Sequence, residues 1–290
     1  MSAAAMPKRR RGAILVEGEF EFRQEDFDEI AALLREQSGI ALQESKSALV
    51  YARLSKRLRQ LGCKDFAEYC ALLAEPDAAE ERVAMLTALT TNFTSFFREP
   101  HHFEHFRQKM APGLIKMARD GGRVRMWSAA SSTGEEPYSL ALTLLDVFPD
   151  AARHDIRILA TDIDHKCVAA ARAGIYKPET VAQIKPALRD RWMVSEGDHW
   201  RVKDEVKQLL TFNELNLMGS WPMRGRFDII FCRNVVIYFD DETQARLWGR
   251  FKNALTPQGR LYIGHSERID APGFENDGLT IYRLARGGRP

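Results

Sequence analysis

The stretch from Arg123 to Pro137, RVRMWSAASSTGEEP, constrains the fold more than any other part of the chain. An apolar, β-branched run leads into a turn of small residues, and two carboxylates stand at the start of a helix. This is the grammar of a strand, a ligand-cradling turn and a helix. A second run, Ile156 to Thr161, reads as a strand ending on Asp162, 28 residues beyond Gly134. That is close to the spacing at which a dinucleotide-type βαβ unit places the acid that accepts hydrogen bonds from ribose hydroxyls.

Only Gly134 stands among Ala129, Ala130, Ser131, Ser132 and Thr133. The G-x-G-x-x-G pattern that lets backbone approach a pyrophosphate is therefore missing, and pyrophosphate is disfavoured. Glu135 and Glu136 suit a cationic ligand that has a ribose and no phosphates, a description that S-adenosylmethionine (SAM) meets. The competing reading is local: Ser131 to Glu135 cap the helix beginning near Pro137, and Asp162 caps the helix from His165.

Around this unit the chain alternates strands (Val124 to Ser128, Ile156 to Thr161, Phe227 to Cys232, Arg260 to Gly264) with helices from Pro137, Lys166 and Asp241. The alternation predicts an α/β fold, a doubly wound, mostly parallel sheet with helices on both faces. Leu279 to Leu284 is expected to return as an antiparallel edge strand. Residues 118–290 form this domain, and 192–207, with the polar insert MVSEGDHWRVKDEV, are a small β appendage. Residues 19–90 carry helical periodicity alone: Phe27, Ile30, Ala31 and Leu34 before Gly39, then Val50, Leu54, Leu58 and Leu61 before Gly62. Residues 91–117 are a linker and a helix, with Phe93, Phe96 and Phe97 expected in the core.

The chain has 290 residues, 45% of them hydrophobic, which suffices for a sizeable core. Its formal net charge of +2 gives no whole-molecule reason to expect nucleic acid or an anionic membrane as partner. Lys8 to Arg11 precede only four apolar residues before Glu17, too short a run for a signal peptide, so residues 1–18 are expected to be a disordered basic tail. Cys63, Cys70, Cys167 and Cys232 form no CxxC pair and suit a reducing compartment, the cytoplasm.

Taken in order, TNFTSFFREPHHF, SSTGEEPYS, ATDID, FCRNVVIYFD and GHSE resemble the CheR family of chemotaxis receptor methyltransferases over nearly the whole chain past the tail. The resemblance implies a SAM-methyltransferase sheet and SAM-dependent methyl esterification of glutamate side chains on the cytoplasmic helical bundle of chemoreceptors, with S-adenosylhomocysteine as the other product. It implies a cofactor pocket of Asn92, Thr94, Arg98, Glu136, Asp162, Asn216, Leu217, Arg233 and Asn234. Tyr238 would lie beside the reacting methyl, with packing as its competing role, and Arg98 would clamp an anion. These two are the catalytic candidates. Glu136 is a polar partner of the cofactor's amino or ribose groups, two options that the sequence does not separate.

A glutamate with a pKa near 4.3 is already a carboxylate at neutral pH and attacks a sulfonium methyl without a general base. Arg53, Lys56 and Arg57 fall in one band of their helix, a solvated basic face or, given the resemblance, a substrate-binding surface for an acidic receptor coiled coil. Family members that tether through a receptor's C-terminal pentapeptide tend to carry a glycine-richer appendage loop, whereas here only Gly197 stands in the turn. Pentapeptide tethering is therefore not expected and direct recognition of the methylation helices is; the chain is expected to be a monomer.

Three rival readings remain at this level. His101, Glu104 and His105 fit the H-x-x-E-H zinc pattern, but no third ligand is identifiable and no metal is expected. A SAM methyltransferase for a different protein or small-molecule acceptor would share the sheet, and a non-catalytic SAM-binding scaffold would share the pocket.

Overall fold

Two apolar stripes at helical spacing build the N-terminal part of the protein. The computed structural model describes residues 13–285, and the chain divides into two units, the first ending at Thr90 and the second beginning at Thr91. In the first, β1 (Ile14–Val16) pairs antiparallel with β2 (Phe22–Arg23), followed by α1 (Gln24–Ser38), α2 (Ser47–Leu61), α3 (Phe66–Ala74) and α4 (Ala79–Leu89). Phe27, Ile30 and Leu34 of α1 and Val50, Leu54 and Leu58 of α2 are buried with Phe22, Phe66 and Tyr69. Gly39 and Gly62, at φ 77° and 73°, end α1 and α2 in the left-handed region that favours glycine.

The strand β1 corrects the expectation of disorder as far as Gly18, because Ile14 and Val16 find backbone partners across the ladder in Arg23 and Phe22. Lys8 to Arg11 lie outside the described residues. The basic band of α2 is also corrected in part. Arg53 Nη1 donates to the carbonyls of Leu89 (2.8 Å) and Thr90 (2.9 Å), the unsatisfied C-terminal end of α4. Arg57 donates through Nε (3.0 Å) and Nη2 to the carboxylate of Glu81, which is buried and also accepts from the Tyr69 hydroxyl (2.8 Å). These two guanidinium groups bind helix to helix, while Lys56 is exposed.

The second unit begins with α5 (Pro100–His105), a π turn, and α6 (Ala111–Arg119). Then come β3 (Val124–Ala129), α7 (Glu135–Val147), β4 (Ile156–Asp162), α8 (His165–Ala173), β5 (Ile175–Tyr176), α9 (Pro178–Val181), α10 (Pro186–Trp192), β6 (Met193–Glu196), β7 (His199–Val202) and α11 (Asp204–Lys207). The chain closes with β8 (Leu210–Glu214), β9 (Phe227–Cys232), α12 (Asp241–Ala254), β10 (Leu255–Ile263), β11 (Phe274–Gly278) and β12 (Ile281–Leu284).

Seven strands form one sheet in the order β11-β12-β10-β9-β3-β4-β8. The run from β10 to β8 is parallel, and β12 and β11 are antiparallel additions. All six residues of β9 are buried, as central parallel strands covered on both faces require. The return strand is present, but β11 covers it, so β12 is not the edge. The appendage hairpin β6–β7 turns at Gly197 and is joined by β5 as a third strand. Phe96 is fully buried and Phe97 packs on Phe103 (5.4 Å), whereas Phe93 is 77% exposed, against the expectation that all three are core. Among the described residues, no helix is long and apolar enough to cross a membrane.

His102 on α5 fastens the helix to the antiparallel edge. It is fully buried, its Nε2 lies 2.9 Å from Thr280 Oγ1, and its ring meets Tyr262 at 5.5 Å. Burial, then the nearby charges of Arg233 and His101, push its pKa from 6.5 down to about 3. Between those values the unfolded chain binds a proton that the folded chain refuses, so stability is lost as pH falls through that window. Urea midpoints of the full chain should fall from pH 6.5 toward pH 4, and His102→Asn should flatten that slope; an unchanged slope refutes the assignment. In the first unit, Arg57→Ala strands the buried Glu81 carboxylate and should cost about 1–3 kcal/mol. Lys56→Ala should stay within about 0.5 kcal/mol in the same urea titration.

Candidate active site

The parallel strands point their carboxyl ends at one edge: Asp162 ends β4, Asn216 and Leu217 follow β8, and Arg233, Asn234 and Tyr238 follow β9, while Glu136 stands in the first turn of α7 and Asn92, Thr94 and Arg98 in the segment before α5. Between β3 and α7 the chain turns through Ala130 (φ 60°), Ser132 (φ 49°) and Gly134 (φ 98°), all left-handed. A Cβ at Gly134 would lie 2.8 Å from the Ala171 side chain and 2.9 Å from the Tyr176 hydroxyl, so α8 and β5 press against the turn. The Ser132 N–H donates to Asp162 Oδ2 (2.7 Å), and the Asp164 N–H donates to Oδ1 (2.9 Å). Asp162 therefore holds the turn as well as standing at the end of β4. Each of its oxygens keeps acceptor capacity, since a carboxylate offers about four lone-pair sites. Burial raises its pKa, with those N–H bonds opposing.

Asn92 joins the same corner. Its Nδ2 donates to Asp164 Oδ2 (2.8 Å), and its carbonyl accepts from Ser132 Oγ (2.8 Å). Asp164 in turn caps α8 through the Lys166 N–H (2.8 Å). The helix cap therefore belongs to Asp164, and Asp162 is not merely a cap. Leu215 N–H donates to the Asp162 carbonyl (2.9 Å), which brings the neighbouring Asn216 and the buried Leu217 to this end of the sheet.

The opposite corner centres on Arg233, which follows β9 and is buried. Its Nη1 donates to Glu136 Oε2 (3.0 Å), its Nη2 lies 3.3 Å from Glu99 Oε2, and Nη2 also donates to the Arg98 carbonyl. Glu136 Oε1 accepts from Ser128 Oγ (2.7 Å). With both oxygens engaged inside the protein, Glu136 is in the first place a counter-ion of Arg233. Burial raises its pKa against the Arg233 charge. Glu99 Oε1 accepts from Asn234 Nδ2 (3.3 Å), the His265 N–H (3.2 Å) and, across 2.9 Å, His265 Nδ1. Burial would push Glu99 up, but Arg233 and the His265 and Asn234 bonds together hold it down to about 2.

Arg98 differs from Arg233. Its Nη1 donates to the Phe93 carbonyl (3.1 Å), its guanidinium lies 5.7 Å from the Phe93 ring, and among the described residues no carboxylate pairs with it. Thr94 and Tyr238 are half-buried, Tyr238 ending the 3-10 turn Val236–Tyr238 that follows Asn234. Tyr238 is thus not a core side chain.

Glu99, Ser132, Asp164, His265 and Glu267 join the site without having been singled out for a role in it. Glu99 and the GHSE residues lay inside quoted motifs, which was the available signal. The H-x-x-E-H residues do not converge on a metal: His105 Nδ1 is 2.9 Å from the Tyr262 hydroxyl, and Glu104 is exposed. Glu99, His101 and His102 do place potential ligand atoms within 4.8 Å of one another. The Arg233 guanidinium already supplies the cation beside that carboxylate.

The residues present fit a nucleoside ligand at the β3 and β4 ends. Asp162 keeps acceptor sites there, and Ser131 Oγ in the adjoining turn is buried with no hydrogen-bond partner among the described residues. Residues 92–280 match the family description "CheR methyltransferase, SAM binding domain", and residues 25–90 match "CheR methyltransferase, all-alpha domain". The chain is 54% identical over 258 residues to the probable chemotaxis protein methyltransferase of Rhizobium etli, covering 87% of this chain and 96% of that protein. It is 41% identical over 268 residues to the chemotaxis protein methyltransferase of Klebsiella aerogenes, covering 90% and 89%. The Escherichia coli protein of the same name is also 41% identical over 268 residues, covering 90% and 91%. The chain thus belongs to the CheR methyltransferase family, and its second unit carries the S-adenosylmethionine-binding domain.

Proposed function

We propose that the protein transfers the methyl group of SAM to glutamate side chains on the cytoplasmic helices of chemoreceptors, giving glutamate methyl ester and S-adenosylhomocysteine. The relatives' names support a chemotaxis substrate. The contrast between two arginines supports an anionic acceptor. Arg233 is buried between Glu99 and Glu136, whereas Arg98 has no carboxylate partner among the described residues and is half-buried at the same edge. A guanidinium so placed orients a carboxylate, either of the acceptor or of the cofactor.

SAM, when bound, supplies a methyl group on a cationic sulfur. Asp162 accepts from the ribose hydroxyls, Asn92 and Ser132 fix the loop above it, and Leu217 offers an apolar wall. Arg98 aligns the incoming carboxylate and Tyr238 borders the transfer path. The acceptor is ionised at neutral pH, so no side chain has to remove a proton. Alignment is the main contribution, worth roughly 7–11 kcal/mol in favourable intramolecular cases. For receptor contact, Lys56 is the residue of the α2 band whose charge stays outside the helix-to-helix bonds, and it is assigned that role ahead of Arg53 and Arg57.

Purified protein, radiolabelled SAM and receptor-bearing membranes should yield base-labile methyl label. Asp162→Ala should weaken S-adenosylhomocysteine binding at least tenfold by calorimetry. Arg98→Ala should lower kcat/KM at least a hundredfold. Lys56→Glu should raise KM for receptor severalfold with cofactor affinity unchanged. Label appearing only on another protein or on a small molecule, or no transfer despite tight cofactor binding, would replace the proposed acceptor.

A further inference from the structure

The GHSE segment follows β10 and contributes no residue to the expected cofactor pocket, yet it makes a dense set of bonds to the loop that does. Glu267 is 4% exposed, and both its oxygens face backbone. Oε1 accepts from the N–H groups of Val236 (2.8 Å) and Ile237 (3.3 Å). Oε2 accepts from those of Gly264 (2.5 Å) and Asn234 (3.1 Å). A carboxylate has about four lone-pair sites, and all four are filled by the main chain. Three of the donors belong to the segment running from Asn234, itself left-handed at φ 60°, into the turn that carries Tyr238. Val236 and Ile237 open that turn, so their N–H groups have no partner within it and Glu267 satisfies them from another loop.

Gly264 makes the approach possible. A Cβ there would lie 2.8 Å from the Asn234 nitrogen and 2.9 Å from Glu267 Oε2, so the two loops meet backbone to backbone. The next residue, His265, reaches Glu99 through both its backbone N–H and its ring. One short segment therefore grips the loop after β9 through Glu267 and the loop before α5 through His265.

We infer that Glu267 is a positioning residue for methyl transfer, its carboxylate fixing the 234–238 segment so that Asn234 and Tyr238 meet cofactor and methyl in one geometry. The inference rests on the proposed reading of that site. Ionised carboxylate is the chemistry required. A glutamine of the same shape offers two acceptor sites and turns an NH2 group toward two N–H donors, leaving them unsatisfied. An aspartate keeps four acceptor sites but withdraws them by one methylene.

The test compares wild type, Glu267→Gln and Glu267→Asp as full chains. The readouts are S-adenosylhomocysteine calorimetry, steady-state receptor methylation and hydrogen exchange by peptide. In Glu267→Gln, peptides spanning 233–238 should exchange at least tenfold faster while β3 and β4 peptides keep wild-type rates. Its kcat should fall at least tenfold with KM for receptor unchanged, and Glu267→Asp should recover part of the loss. Wild-type kcat in Glu267→Gln overturns the inference. So does a loss in both variants that comes with equally faster exchange throughout the sheet, which marks a merely structural role. If Glu267→Gln does not fold, Glu267→Asp decides by the same readouts: a fall in kcat with faster exchange confined to 233–238 supports the inference, and wild-type kcat overturns it. A wild-type protein that gives no heat with S-adenosylhomocysteine sinks the reading of the site itself, a result distinct from any of these.

Discussion

The burial of Arg233 is the constraint around which the second unit is arranged. An arginine cannot shed its proton, so taking its guanidinium out of water costs several kcal/mol unless anions and acceptors surround it. Glu136, from the first turn of α7, and Glu99, from the loop before α5, supply the anions, and the Arg98 carbonyl supplies a further acceptor. Phe103 and Phe231 lie 5.7 and 5.8 Å from the same guanidinium and offer ring faces. The start of α7, the loop after β9 and the segment before α5 are thereby tied to one charge, and removing Arg233 leaves two carboxylates without their cation.

Backbone strain is concentrated where those loops meet. Of the six non-glycine residues with left-handed φ among the described residues, Phe97, Glu99, Ala130, Ser132 and Asn234 are at the site, and Thr280 is the sixth. Such conformations cost of order 1–3 kcal/mol each and persist only where their surroundings over-determine them. Three of the strained residues have their N–H groups held by buried side chains: Ser132 by Asp162, Asn234 by Glu267 and Phe97 by the Ser139 hydroxyl (2.9 Å). The carboxylates at the ends of the sheet are therefore doing conformational work before any ligand arrives. Asp162 holds the turn in this way, and under the proposed reading its remaining acceptor sites would take hydroxyl groups as well.

Local chemistry made the first βαβ unit readable from sequence. A strand, a small-residue turn and Asp162 are each encoded within a few residues, and the parallel sheet follows from their alternation. What escaped was set by distant partners. β8 is a five-residue edge strand with polar alternation, and Ile14–Val16 become a strand only by pairing with Phe22 and Arg23. Arg53 and Arg57 carry charge at a helical spacing that suits a solvated face, and no local rule reveals that Thr90 and Glu81 take their donors. Phe93 looks like its neighbour Phe96 in sequence, yet lies in solvent beneath Arg98. Glu99 and Glu267 stand inside conspicuous motifs, but their roles are not legible there, because they are written in main-chain N–H groups and a guanidinium contributed by other loops.

The unequal treatment of the two arginines suits a reaction in which charge disappears. In the proposed transfer an anionic acceptor and a cationic donor become neutral products, so strong stabilisation of either separated ion would deepen the ground state more than the transition state. Glu99 and Glu136 are already answered by Arg233, which leaves the wall beside the donor with acidic character but little unbalanced field. Arg98, half-buried and resting on the Phe93 ring, presents a charge partly screened by solvent and so a weaker grip than a buried guanidinium would give. Under the proposed reading such a clamp would set the direction of the carboxylate without holding it back. In the proposed transfer the aromatic support beneath Arg98 would matter as much as the charge: it restricts where the guanidinium lies, and direction is what an in-line displacement needs.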